Sequence, residues 1–273
     1  MLAFGLRRFG VALFVAFAVS VISFGLLYLS GDLAIALAGE TSDYAQIEAI
    51  RKQYGLDRPI AVQYLDWLTH ALRGDFGQSM YFKTPVKEML AERLPVTMTL
   101  GVTSMLFAVT LGIPLGVLAA IRPNSWIDRF ALTFSVVGQA LPSFWFALIL
   151  IVFLSLTFPL LPASGDESWE NFIMPTIVLG YNAAPAIMRL TRTGMLEVLS
   201  SDYIRTARAK GLRAPKVLFK HALRNAVIPV VSLAAVQFGF MLGGSVVVET
   251  IFALHGTGFM AWEAIKNNDF PTV

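Results

Sequence analysis

Residues 97–121 read TMTLGVTSMLFAVTLGIPLGVLAAI, a run without a single charged side chain. A helix needs roughly 20 apolar residues to cross a hydrocarbon core about 30 Å thick, so this stretch alone places the chain in a membrane. Residues 9–29, 130–158, 173–188 and 226–252 are also long apolar runs, charged only at Glu249; the fourth span, 173–188, is the shortest and is interrupted by Pro175 and Pro185. Composition agrees: 14% of residues are charged, against about 25% in a soluble domain. The fold class is an all-α membrane protein with five recognisable transmembrane helices, and a sixth is expected after Val273. Arg7 and Arg8, followed by an apolar run and Ala36-Leu37-Ala38, imitate a cleaved leader. That run, about 21 residues, exceeds the 7–15 of a signal core, and it reads as a retained span.

Lys and Arg in short loops set orientation. Arg7 and Arg8 precede the first span, and Arg122 and Arg129 lie between the second and third. Between the fourth and fifth stand Arg189, Arg192, Arg205, Arg208, Lys210, Arg213, Lys216, Lys220 and Arg224, opposed only by Glu197 and Asp202. The loop between the third and fourth carries Asp166, Glu167 and Glu170 and no base. Every loop agrees with a cytosolic N-terminus. Three regions follow: a first helix within 1–30, an external helical segment 31–96, and a membrane core 97–273 containing a cytosolic loop, 199–225. Residues 44–54 and 60–73 are helical by pattern, with Tyr64, Trp67, Leu68 and Leu72 recurring at three and four, and Gly74 and Gly77 closing the second helix. This segment suits either a cap over the bundle or a contact for a delivered solute or its carrier.

The spans hold almost no ionisable groups away from their ends, whereas self-powered ion-coupled carriers keep buried charges for function. Glu249, near the outer end of the fifth span, is the one weak candidate for the substrate path; its other reading is an interfacial carboxylate reaching water. Pro114, Pro142, Pro185 and Pro229 put a proline in each of the last four spans, where each removes a donor and can kink the helix. Gly112-xxx-Gly116 and Gly239-xxx-Gly243 permit close helix contact. Cysteine is absent and His70, His221 and His255 stand alone, so no metal-ligand spacing occurs. No phosphate-binding Gly-x4-Gly-Lys-Ser/Thr loop and no hydrolase motif is present. The chain reads as non-catalytic, binding no cofactor and drawing energy from a partner. A self-contained carrier or channel is the main rival, and a membrane hydrolase sited in 31–96 the second.

Residues 199–225 read LSSDYIRTARAKGLRAPKVLFKHALRN. Ser201 suits an N-cap and Asp202 the first turn; Gly211 can end that helix left-handed; Pro215 suits the first residue of a second helix. Ile204, Ala207 and Gly211 share a small, flat face, and Val217 and Leu218 give the second helix an apolar patch. The bases alone are equally an orientation signal with lipid headgroup contact; the helix–glycine–helix pattern favours a docking element.

This loop resembles the cytosolic signature of binding-protein-dependent ABC importer permeases, Glu-Ala-Ala-x3-Gly-x9-Ile-x-Leu-Pro. Arg205-Thr206-Ala207 occupies the first triplet, Gly211 the glycine, and His221-Ala222-Leu223-Arg224 the closing tetrad. Ala207, Gly211 and Leu223 match the general pattern, and the whole stretch has the form typical of the dipeptide, oligopeptide and nickel branch. Tyr54-Gly55-Leu56-Asp57-Arg58-Pro59, Gly74-Asp75-Phe76-Gly77, Pro85-Val86, Glu92-Arg93-Leu94-Pro95 and Val248-Glu249-Thr250-Ile251-Phe252 resemble that branch's first permease subunit. His255-Gly256-Thr257-Gly258 stands where the family usually has Pro-Gly-Leu-Gly, and the family has one more helix after Asp269-Phe270-Pro271. The resemblance implies a type I ABC importer architecture in a bacterial cytoplasmic membrane, importing peptides or a related small solute. It implies a second homologous permease, two ATPase subunits holding ATP and Mg, an extracytoplasmic solute-binding protein, membrane lipid, and no nucleic acid. It assigns ATPase coupling to Asp202, Tyr203, Ile204, Arg205, Ala207, Arg208, Gly211 and Leu212. Ala207 and Gly211 would make the close contact, Ile204 and Leu212 the apolar seat, and Arg205 and Arg208 the rim.

Overall fold

The computed structural model describes residues 2–29, 34–35 and 43–273, so Ala36-Leu37-Ala38 lies outside the described residues. Among the described residues the chain is helical, with one isolated antiparallel bridge between Gln78 and Pro85 in place of any strand. It divides into two compact units, Met1–Ala91 with Glu263–Val273, and Glu92–Trp262.

In the first unit, helix α1 (Leu2–Leu29) is apolar all round beyond Arg7 and Arg8, as a lipid-facing helix is. The helix α2 (Tyr44–Gln53) is capped by Asp43, whose carboxylate accepts the Tyr44 N–H at 2.7 Å. In α3 (Ile60–Ala71), Tyr64 and Trp67 pack on Phe17 and Phe24 of α1, and the Tyr64 hydroxyl lies 2.8 Å from Ser20 Oγ. Gly74 and Gly77 follow at φ +77° and +79°, the left-handed backbone that glycine adopts without a Cβ penalty. Asp269, fully buried, accepts the Ser79 hydroxyl, the Met80 N–H and the Thr272 hydroxyl, and so pins the turn 78–85.

Helix α4 (Val86–Ile121) begins before the expected Thr97 and carries Pro95 and Pro114 in its interior. The expected third span, 130–158, is two helices: α5 (Trp126–Ala140) and α6 (Ser143–Ile151), the latter continued by a π turn, Val152–Thr157. They meet at 99°. Pro142 is the cause, because its ring drives the preceding Leu141 out of the helical region to φ −78°, ψ 121°. Helix α7 (Ile173–Leu199) is the central element of the second unit, with Met174, Val178, Ala184, Ile187, Met188 and Met195 buried along its length. Helix α8 (Asp202–Ala209) follows, then a basic limb 214–226, α9 (Ile228–Phe252) and α10 (Thr257–Lys266). Pro229 is the second residue of α9, where its missing N–H would be unpaired anyway, so it starts that helix and does not kink it. By length and composition α1, α4 and α9 each suffice to cross a membrane, and α5 with α6 makes a fourth, broken span. The fourth expected span, 173–188, lies within α7, which also carries Arg189, Arg192 and Glu197.

The two glycine pairs part company. A Cβ on Gly112 would lie 2.9 Å from the Ala184 carbonyl, and one on Gly116 2.6 Å from that of Met188, so α4 meets α7 backbone to backbone. Gly239 and Gly243 have open space around them and, with Ala235 and Val247, form an exposed stripe on α9.

Candidate coupling site

The segment 199–226 is bent as its sequence requires. Ser201 stands at the N-cap with φ −71°, ψ 154°, but its hydroxyl turns back to donate to the Val198 carbonyl at 2.6 Å and leaves the first turn of α8 without a side-chain cap. At the other end Gly211 adopts φ +73°. The Gly211 N–H donates to the Arg208 carbonyl at 2.9 Å and the Leu212 N–H to that of Ala207 at 3.3 Å. These two bonds form a Schellman closure, which needs a left-handed residue at Gly211. The limb beyond starts at Ala214, so Pro215 is its second residue, not its first. It winds as a π helix through Val217–Leu223, and the wider i→i+5 winding turns both Val217 and Ala222 inward. Asn225 Nδ2 donates to the Tyr203 hydroxyl at 2.8 Å, tying this limb back to α8.

Ile204 is fully buried and Ala207 retains 7% exposure; both join Val117 and Ala120 of α4, Met195 of α7, and Val217, Ala222 and Ala226 of the limb. The sequence assigned these two side chains to a contact face, but α8 has one apolar face and the chain's own core takes it. What remains outside is Asp202, Tyr203, Arg205, Arg208 and Gly211, with Leu212 half-buried. Arg205 pairs with Asp202 at 3.1 Å on the open surface, a contact worth little in water. Seven of the nine bases of this region, Arg205, Arg208, Lys210, Arg213, Lys216, Lys220 and Arg224, are exposed on the two limbs.

The other two bases point inward. Arg189 Nη1 donates to Ser135 Oγ at 2.6 Å and to Gln139 Oε1 at 2.9 Å. Arg192 grips Asp128 with two parallel bonds, Nε to Oδ1 at 2.6 Å and Nη2 to Oδ2 at 2.7 Å. Asp128 retains 2% exposure and also accepts the Asn124 N–H at 2.9 Å, where Asn124 is left-handed at φ +62°. Sequence reasoning passed over this pair, counting Arg192 as an orientation signal only. The available clue was that Asp128 is the sole acid between Thr97 and Gly165, beside bases on a side that favours bases.

Glu249 does not reach water. It is fully buried: Oε1 accepts the Thr97 hydroxyl at 2.8 Å, and Oε2 the Phe259 N–H at 2.8 Å. The Thr257 N–H donates in turn to Thr97 Oγ1 at 2.8 Å. The chain returns to the carboxylate because α9 ends on Ala253 at φ +49°. A Cβ on Gly256 would stand 2.5 Å from Glu249 Oε2, and one on Gly258 2.9 Å from it. The glycines of His255-Gly256-Thr257-Gly258 are therefore the two that admit the carboxylate, and its two departures have partners of their own. His255 Nδ1 lies 3.1 Å from Asp166 Oδ1, and the Thr257 hydroxyl lies 3.0 Å from that of Thr97. A carboxylate closed in by donors holds a loop and offers no open path.

Known proteins share both parts of this sequence. The family described as binding-protein-dependent transport system inner membrane component matches residues 112–273, and its N-terminal companion matches residues 1–101. The glutathione transport system permease protein GsiC of Salmonella typhimurium is 42% identical over 245 residues, covering 90% of this chain and 80% of that protein. GsiC of Escherichia coli strain K12 is 42% identical over 258 residues, 94% of this chain and 84% of its own length. Among solved structures, an inward-facing MetNI methionine ABC transporter aligns with a TM-score of 0.54 and 20% identity, over 65% of this chain and 81% of that one. At that identity the likeness is one of fold.

Proposed function

We propose, starting from a chain that belongs to the family of binding-protein-dependent transport system inner membrane components, that the bent segment 201–224 is where an ATPase partner drives it. The chain is an ABC importer permease, a multi-pass inner-membrane subunit, and its family works with ATPase and substrate-binding partners. One observation carries the assignment of the segment. Its apolar side is locked into α4 and α7, while its outer side presents Tyr203, Arg205, Arg208 and Gly211 to whatever lies beyond. A rigid, solvent-facing lever anchored on two long helices transmits a push; a loose basic loop does not. In this reading the basic limb faces the cytosol, by the excess of Lys and Arg.

Two ATPase subunits would hold ATP and Mg, and their closure would displace the segment and swing α4 to α9 between outward-open and inward-open arrangements. A second, homologous permease would face the exposed Ala235, Gly239 and Gly243 stripe, since small residues let helices approach. The solute, delivered by an extracytoplasmic binding protein, would be a peptide or a peptide-sized compound such as glutathione, in keeping with the GsiC relatives. The regions 1–30, 31–96 and 97–273 would act as anchor, external segment and translocating core.

Reconstitution tests this. With its encoded partners in proteoliposomes, the subunit should support uptake of labelled glutathione or a dipeptide that requires ATP and the binding protein. Uptake by this chain alone, without an ATPase, would refute the reading in favour of a self-contained carrier.

A further inference from the structure

We infer that Asp128 and Arg192 form a positioning joint that makes α5 and the turn 122–125 follow the coupling segment during transport. The inference rests on the reading of 201–224 as the driven element. Its observations are separate, since neither residue belongs to that segment.

Arg192 sits three residues before Met195 on α7, and Met195 is fully buried in the same cluster as Ile204 and Ala207. A displacement of α8 therefore reaches α7 through packed atoms, and cores are bistable rather than soft. On the facing side, Arg192 holds both oxygens of Asp128. A planar guanidinium meeting a carboxylate with two parallel bonds fixes angle as well as distance. The same carboxylate takes the Asn124 N–H at 2.9 Å, so the left-handed turn between α4 and α5 hangs on it too. Gly116 brings α4 against the backbone from which Arg192 springs, since a Cβ there would stand 3.1 Å from the Arg192 backbone nitrogen. Helices α4, α5 and α7 thus meet around one ion pair, in which the Asp128 side chain is buried and that of Arg192 retains 20% exposure. Higher along the seam, Arg189 repeats the grip on Ser135 and Gln139, and Gly138 lets Pro185 and Tyr181 approach.

A pair buried only for stability is a poor investment, because an apolar replacement often serves as well. Its geometric use here is direction. The joint lets α7 pull on α5 at a fixed angle, and α5 is the inner half of a span already broken by 99° at Pro142. Movement of the near half can then proceed without dragging α6.

The test uses the full importer with D128N, D128E, R192K and the swap D128R/R192D, reading ATP hydrolysis and solute uptake on complexes isolated by size exclusion. D128N and R192K should retain basal hydrolysis per assembled complex while uptake per ATP falls about tenfold, the scale at which coupling residues act. The swap should not restore it, because an arginine at 128 leaves the Asn124 N–H facing a donor. Uptake that declines only with the yield of assembled complex, at an unchanged ratio to ATP, would overturn the joint and leave a static staple. So would full recovery in the swap. A wild-type ratio in these variants beside an uncoupled Gly211 variant would sink this inference alone; coupling intact in both would sink the reading beneath it.

Discussion

Replacing Gly211 separates backbone geometry from surface chemistry. The residue sits at φ +73° with no atom within 4 Å of where a Cβ would stand, so a side chain there meets no clash. Its whole effect comes from the left-handed conformation that the Gly211–Arg208 and Leu212–Ala207 bonds demand. For an ordinary L-residue that conformation costs about 1–2 kcal/mol, and more for a β-branched one, whereas asparagine visits it readily. At 1.4 kcal/mol per factor of ten, G211V should reduce the population of the bent segment about 5- to 30-fold relative to competing conformations, and G211N should leave it nearly intact. Measured in proteoliposomes carrying the complete importer, uptake per ATP should drop for G211V, by up to about that factor, and stay within about twofold for G211N. Equal losses in both would mean that bulk at the contact matters and the bend does not. Unchanged uptake in G211V would refute the lever.

Glu249→Gln keeps the shape of the buried carboxylate but turns one acceptor into a donor facing Thr97 or Phe259, and should destabilise the subunit by about 1–3 kcal/mol, read as a lower melting midpoint in detergent with little change in solute selectivity. Gly256→Ala places a methyl 2.5 Å from Glu249 and Thr97 and should destabilise by a similar about 1–3 kcal/mol; a wild-type midpoint would contradict the closed loop. Gly116→Ala should loosen α4 from α7 and lower stability of the lone subunit, while Gly243→Ala, in open space, should leave the lone subunit intact and weaken pairing with the second permease, seen by co-purification. Equal behaviour of the two glycine variants would argue against an intermolecular role for the α9 stripe.

The membrane character, the helical content and the bent basic segment were legible because each follows from local chemistry. An uncharged run such as 97–121 admits one solvent, and a glycine between two amphipathic limbs admits few conformations. Family membership was legible for the same reason, through ordered local motifs. Four things were not. Leu141-Pro142 promised a kink, but whether a proline bends or breaks a span depends on what receives the second half. Ile204 and Ala207 announced a contact face without saying whose; only packing showed that Met195, Val117 and Ala120 claim it. Glu249 looked like an interfacial carboxylate because its donors are the hydroxyl of distant Thr97 and the N–H of Phe259 in the turned-back chain. Asp128 and Arg192 stand sixty-four residues apart; Asp128 was conspicuous as a lone acid among bases, but nothing local named its partner.

What the amino-acid order determined by itself was therefore what is set within a few neighbouring residues: apolar spans suited to lipid, helical character, the turn at Gly211. The tertiary structure alone decided which polar groups meet. A buried carboxylate is tolerable only beside its donors, and those partners are chosen by how helices pack in space.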